Sequence, residues 1–164
     1  MNPSIDWVQR VIDALPISVL QFHGEEEASF CEQFALPYYK ALRVITDSSA
    51  DATTRGGTLL STLPDTVAHY ASAKAVLLDA YDSSAHGGTG HTIDWVPLAD
   101  SCKTLSKPVI LAGGLTADNV ARAISIVRPY AVDVSSGVEE SPGQKSPARI
   151  DRFIKEVMRT DAAL

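Results

Sequence analysis

Five apolar runs in this 164-residue chain each close on residues that can do chemistry. Residues 19–22 run into His23, 39–44 carry Arg43 near their end, and 75–79 finish on Asp79. Residues 109–112 break into Gly113 and Gly114, and 131–134 stop at Ser135, Ser136 and Gly137. A carboxyl group partly withdrawn from water holds its proton more readily than a solvated one, which suits Asp79 to general-acid work. The plainer alternative is that Asp79 caps the loop after it. Backbone N–H groups in glycine- and serine-rich loops approach an anion closely, and a helix N-terminus nearby adds partial positive charge. The turns at 113–114 and 135–137 therefore read as a phosphate cradle, although turns after strands also use glycine simply for its positive φ. Arg43 would either reach an anionic ligand or form an ion pair within the fold.

Positioning such a set requires strands whose carboxyl ends share one edge. Residues 109–139 supply the pattern. After the glycine pair, Thr116 can cap a helix with Val120, Ile124 and Val127 on one face; Arg128 and Pro129 end it, and the next strand follows. This is a right-handed βαβ unit. Upstream, Asn2-Pro3-Ser4 precedes an amphipathic helix with Ile5, Val8, Ile12 and Leu15, ending before Pro16. Glu25, Glu26 and Glu27 read as the solvated first turn of a second helix with Ala28, Cys31 and Ala35 inward. Helices are also expected in the later part of 59–73, from Asp94, and from Ser146-Pro147, the last with Ile150, Phe153, Ile154 and Val157 as its buried stripe. Trp7 and Trp95 are expected to pack against neighbours. Residues 47–57 and 81–90 read as loops. Tyr81 is a pocket candidate, His86 and His91 read as surface residues, and His69 as partly exposed. Strands apolar on both faces and alternating with helices indicate a parallel sheet covered by helices, either doubly wound or a (β/α)₈ barrel, in one domain over 1–164. A dinucleotide fold has little support, for there is no strand–GxGxxG–helix with an acidic residue about 20 positions on.

Composition narrows the function. Hydrophobic residues make up 45% and charged residues 21%, as in an ordinary folded protein. A net charge of −6 gives no basic footprint for nucleic acid or an anionic membrane. No run of about 18 apolar residues and no basic-then-apolar leader is present, so neither a membrane span nor a signal peptide is expected. Cys31 and Cys102 show no metal-ligand spacing, in a helix and a loop respectively, and cytoplasmic thiols are the default.

The pieces LQFHGEE (20–26), KALRV (40–44), LLDAY (77–81), GGTGHTIDW (87–95), LAGGLTADNV (111–120) and VDVSSGVEESPGQK (132–145) together resemble the phosphoribosylanthranilate isomerase family of tryptophan biosynthesis. The resemblance implies a (β/α)₈ barrel that carries out an Amadori rearrangement of a phosphorylated substrate without metal or cofactor. It implies Asp79 as general acid, Gly113, Gly114, Ser135, Ser136 and Gly137 as phosphate-binding residues, His23 at the pocket mouth and Asp133 in support. The family's first strand carries Lys-Ile-Cys-Gly, whose cysteine is the general base, and an arginine after its second strand holds the anthranilate carboxylate. Neither motif is among these 164 residues. Met1-Asn2 aligns just after the family's third strand, so the chain is expected to comprise strands four to eight, an incomplete barrel inactive alone. Such a chain would be unstable, would self-associate, or would need a complementing N-terminal segment. The alternatives are a non-catalytic sugar-phosphate-binding or interaction domain and another phosphate-binding barrel enzyme, such as indole-glycerol-phosphate synthase.

Overall fold

The computed structural model describes residues 1–45, 57–79 and 94–164. The expectations for residues 47–56 and 81–90, with Tyr81, His86 and His91, therefore lie outside the described residues. The apolar runs form parallel strands β1 (Leu20–Phe22), β2 (Tyr38–Ile45), β4 (Ala75–Asp79), β5 (Val109–Ala112) and β6 (Ala131–Val132), hydrogen-bonded in that order. A short strand that the sequence pattern did not suggest, β3 (Thr58–Leu59), pairs with the end of β2. Helices α1 (Ile5–Ala14), α2 (Ala28–Cys31), α3 (Leu63–His69), α4 (Trp95–Cys102), α5 (Val120–Val127) and α6 (Pro147–Asp161) connect or flank the strands. No helix among the described residues is long and apolar enough to cross a membrane.

Strand alternation sorts the side chains into two clusters. One face carries Ala41, Ala75, Leu77, Ile110 and Ala112, with Tyr39 and Ala131 beside them. The other receives the helices and holds most of the core, including Leu42, Val76, Leu78, Leu111, Leu98, Val120 and Phe153. Phe22 anchors its β1 end, with ring centroids 5.8 Å from Phe30 and 5.9 Å from Phe34.

Several local expectations are corrected. The second helix does not begin at Glu25; only Ala28–Cys31 is helical, Ala35 is exposed, and Phe34 fills the inward place. Glu26 is not solvated: its carboxylate is buried against Lys40 of β2, Nζ to Oε2 3.0 Å, with both side chains nearly inaccessible. Helix α1 is capped by Ser4, which accepts the Trp7 N–H, but only Val8 on it is buried; Ile5, Trp7 and Leu15 are exposed, and the Arg10 guanidinium lies 5.4 Å from the Trp7 ring centroid. Of the expected stripe on α6, Phe153 is buried and Val157 is half-buried against the core, while Ile150 and Ile154 remain exposed. Trp95 is buried as expected. Cys102 closes α4 rather than lying in a loop. Residues 139–145 form a small antiparallel hairpin, β7 (Glu139–Ser141) and β8 (Gln144–Lys145), turned at Gly143 with φ 80°.

Burial alone would raise the Glu26 carboxyl, but the Lys40 ammonium and the N–H groups of Asn2 and Gly24 together hold it below its ordinary value of 4.5. A carboxyl lowered in the native state stabilises the fold above its ordinary range, and that stabilisation is lost as pH falls through the depressed value. Lys40→Met is expected to cost about 3–5 kcal/mol at neutral pH, because it strands a buried carboxylate. The parent chain should lose stability as pH falls below 4.5. Denaturant titration across pH reads both; an unchanged midpoint in Lys40→Met would contradict the closed pair.

Candidate functional site

The parallel register places the strand ends side by side. Asp79, the last residue of β4, pairs in register with Arg43 of β2 and Ala112 of β5. His23 follows β1, which lies on the other flank of β2. Across that strand its Nε2 comes within 3.6 Å of Asp79 Oδ2, with the imidazole 41% and the carboxylate 25% exposed. The two side chains therefore lie within ion-pair distance while both remain open to a ligand.

The glycine turn after β5 needs its glycines. Gly113 has φ 90° and Gly114 φ 63°, values that side-chain-bearing residues adopt at a cost. The helix after it starts later than the sequence pattern suggests. Asn119 occupies the N-cap position and α5 begins at Val120, while Thr116 caps the turn ahead of it, its carbonyl accepting the Val120 N–H at 3.0 Å. Asn119 instead braces the turn: its Nδ2 donates to the Gly114 carbonyl (3.0 Å) and its Oδ1 accepts the Thr116 N–H (2.8 Å). Thr116 Oγ1 accepts the Asp118 N–H at 3.2 Å. A Thr-x-x-Asn spacing ahead of a helical run was the readable signal for this brace.

The second turn is locked onto the first. A Cβ on Gly137 would lie 1.8 Å from the Leu115 carbonyl oxygen, so the two backbones touch only because residue 137 has no side chain. Lys145, from the β7–β8 hairpin, donates to the Ser135 carbonyl (2.9 Å), the Ser135 Oγ (3.2 Å) and Glu139 Oε1 (2.8 Å). The Lys145 ammonium and the Gly143 N–H hold the Glu139 carboxyl below its ordinary range. Lys145 was not singled out from sequence, because its partners depend on a hairpin with no apolar alternation.

Together these elements enclose a cavity of about 240 Å³ lined by His23, Asp79, Gly113, Gly114, Asp133, Ser135, Ser136 and Gly137, with Leu77 and Ala112 at its base. All eight residues assigned site roles from sequence thus border one space. Arg43 lines instead a neighbouring hollow of about 360 Å³, which shares His23 and extends to Thr58, Thr66 and Tyr70. Neither thiol borders the cavity, and burial pushes both Cys31 and Cys102 up to about 11, away from the thiolate form at neutral pH. The arrangement can hold an anion between two backbone turns while a carboxyl group addresses the adjoining part of the same molecule.

Comparison with known proteins agrees in one direction. The family model for N-(5'-phosphoribosyl)anthranilate (PRA) isomerase matches residues 1–156. The N-(5'-phosphoribosyl)anthranilate isomerase of Stutzerimonas stutzeri is 45% identical over 157 residues, which cover 96% of this chain and 68% of that protein. The phosphoribosyl anthranilate isomerase of Thermotoga maritima superposes with a TM-score of 0.74 at 30% identity, over 97% of this chain and 70% of its own. A phosphoribosyl anthranilate isomerase solved in complex with reduced 1-(o-carboxyphenylamino)-1-deoxyribulose 5-phosphate gives a TM-score of 0.69 at 29% identity, over 96% of this chain and 68% of its own.

Gly137→Ala is expected to force the two turns apart and to destabilise the chain by about 1–3 kcal/mol, the usual range for overpacking. Thermal unfolding should show a lower midpoint, and the amide resonance of Leu115 should move. A variant with the parent's midpoint and Leu115 signal would contradict the close approach.

Proposed function

This chain belongs to the N-(5'-phosphoribosyl)anthranilate isomerase family, and from that premise we propose that its site serves the Amadori rearrangement of N-(5-phosphoribosyl)anthranilate to 1-(2-carboxyphenylamino)-1-deoxyribulose 5-phosphate in tryptophan biosynthesis. The observation that carries the proposal is the single cavity in which the Asp79 carboxylate faces two glycine- and serine-rich turns. In this reading, N–H groups of Gly113, Gly114, Ser135, Ser136 and Gly137 hold the phosphate, placing the ribose towards Asp79. Asp79 acts as general acid, protonating the ribose ring oxygen and opening the sugar to a Schiff base. A general base then removes the C2′ proton, and the resulting enolamine becomes the ketone. His23 bounds the mouth beside Asp79, and Asp133 supports the site from the end of β6. The chemistry needs proton transfers only, so the reading includes no metal or cofactor.

The base is not assigned within this chain. The family's Lys-Ile-Cys-Gly motif is not among its 164 residues, and both thiols present lie away from the cavity. The same proposal therefore has this chain supply the acid and phosphate half of the site, as strands four to eight of a (β/α)₈ barrel in a single domain over 1–164, and remain inactive alone. Two features support closure by further strands. Among the described residues β1 and β6 stand at the ends of the sheet path, and parallel strands are ordinarily covered on both faces. Helices α1 and α6 also leave Ile5, Trp7, Leu15, Ile154 and Met158 exposed. A complementing N-terminal segment is the occupant proposed, with a second copy of the chain as the other route, in the cytoplasm. The location of both thiols outside the cavity favours a second reading, a sugar-phosphate-binding domain without turnover.

Turnover of phosphoribosylanthranilate, followed through loss of anthranilate-type fluorescence, separates the readings. The chain alone should be silent, and addition of a Lys-Ile-Cys-Gly-bearing segment should produce turnover that Asp79→Asn lowers by roughly 10²–10⁴-fold. Turnover by the chain alone would overturn the shared-site proposal. Binding without turnover, even with the segment present, would establish the second reading.

A further inference from the structure

Lys40 and Glu26 form a buried ion pair that the proposed chemistry does not use. A buried pair of this kind is often no more stabilising than apolar residues of the same volume, so its geometry has to be read for another role. That geometry is directed at the backbone of one residue. Lys40 Nζ donates to the Gly24 carbonyl at 2.6 Å, while Glu26 Oε2 accepts the Gly24 N–H at 2.8 Å. The two members of the pair thus grip the residue after His23 from both sides and are joined to each other at 3.0 Å. The N-terminal residues tie in as well: Glu26 Oε1 accepts the Asn2 N–H at 2.8 Å, and Asn2 Oδ1 accepts the Glu25 N–H at 2.7 Å. A Cβ on Gly24 would lie 2.2 Å from Asn2 Oδ1 and 2.8 Å from Glu26 Oε1, so a side chain there would displace both of these side-chain ends.

The position of Lys40 in the sheet completes the argument. It sits on β2, between the strand that carries His23 and the strand that carries Asp79, with register partners Phe22 and Val76. It is not part of the cavity wall that holds Asp79. We propose that the Lys40–Glu26 pair is a positioning device, which fixes the Gly24 backbone to β2 and thereby holds the His23 ring 3.6 Å from the Asp79 carboxylate. This rests on the reading of Asp79 as general acid and adds the residues that set its neighbour. Lys40 and Glu26 touch no reacting atom; they act through His23.

Two measurements test it on the full chain, neither requiring turnover. In the unaltered protein the Gly24 amide should exchange with solvent only through global unfolding; rapid exchange under native conditions would overturn the proposal. The ring C–H resonance of His23, assigned with His23→Asn, should shift when Asp79→Asn is introduced. In the paired variant Lys40→Met/Glu26→Gln, which leaves neither charge unpartnered, that response to Asp79→Asn should shrink to near nothing while unfolding stays cooperative. A full response in the folded paired variant would overturn the proposal. Where the complemented enzyme turns over, the paired variant should lower kcat by roughly 10²-fold, the scale of a 1 Å misplacement, with KM unchanged. Equal losses in the amount of folded enzyme and in kcat, with the His23 response retained, would reduce the pair to a structural role. Failure of turnover in every form would reject the catalytic reading and leave the His23 measurement to decide this one.

Discussion

The structure depends above all on the hydrogen-bonded parallel register of β1, β2, β4, β5 and β6. Parallel pairing makes all five strands end in the same direction, so whatever follows each strand is delivered to one edge. The pairing of Arg43 with Asp79, and of Asp79 with Ala112, then fixes the carboxylate at the level of the glycine turn. A slip of one residue would turn Asp79 to the helix-covered face and bring Leu78 into the cavity. The register is held by the core on that covered face, where Val76, Leu78 and Leu111 are almost inaccessible.

Above this edge the loops are anchored by Leu115 and Val138 in the core and fixed by polar side chains bonded to backbone groups. Gly137 lies against the Leu115 carbonyl, Asn119 braces the Gly114 turn, Lys145 braces Ser135, and the Lys40–Glu26 pair grips Gly24. The Lys40–Glu26 bonds satisfy polar groups that burial would otherwise leave unpaired, and the bonds of Asn119 and Lys145 fix the two turns that line the cavity. Rigid turns of this kind can present a preorganised site at little cost at the moment of binding.

The strands and the residues at their ends were legible because both signals are local. An apolar run covered on both faces needs no partner to be recognised, and Asp79, Gly113–Gly114 and Ser135–Gly137 each interrupt such a run. What was not legible depended on distant partners. Three consecutive glutamates read as a solvated helix start, yet the charge of Glu26 is matched by Lys40, fourteen positions away on the strand next to β1. The helix after the glycine turn was placed early because Thr116 is a good cap by type, whereas Asn119 reaches back to Gly114 and moves the first helical turn. Hydrophobic spacing on α6 marked Ile150, Phe153, Ile154 and Val157 alike, but Phe153 is buried and Val157 half-buried while Ile150 and Ile154 stay exposed. Amphipathic spacing reports which face seeks an apolar partner, not where that partner lies.

The central claim is that phosphate sits between the two turns with the sugar directed at Asp79. The most direct measurement is an amide NMR titration of the chain with reduced 1-(o-carboxyphenylamino)-1-deoxyribulose 5-phosphate, the ligand of the related solved complex. The account predicts the largest shifts at Gly113, Gly114, Ser135, Ser136 and Gly137, with a smaller one at Asp79. Shifts confined to the hollow beside Lys103, Lys107 and Arg128, with the two turns silent, would contradict it.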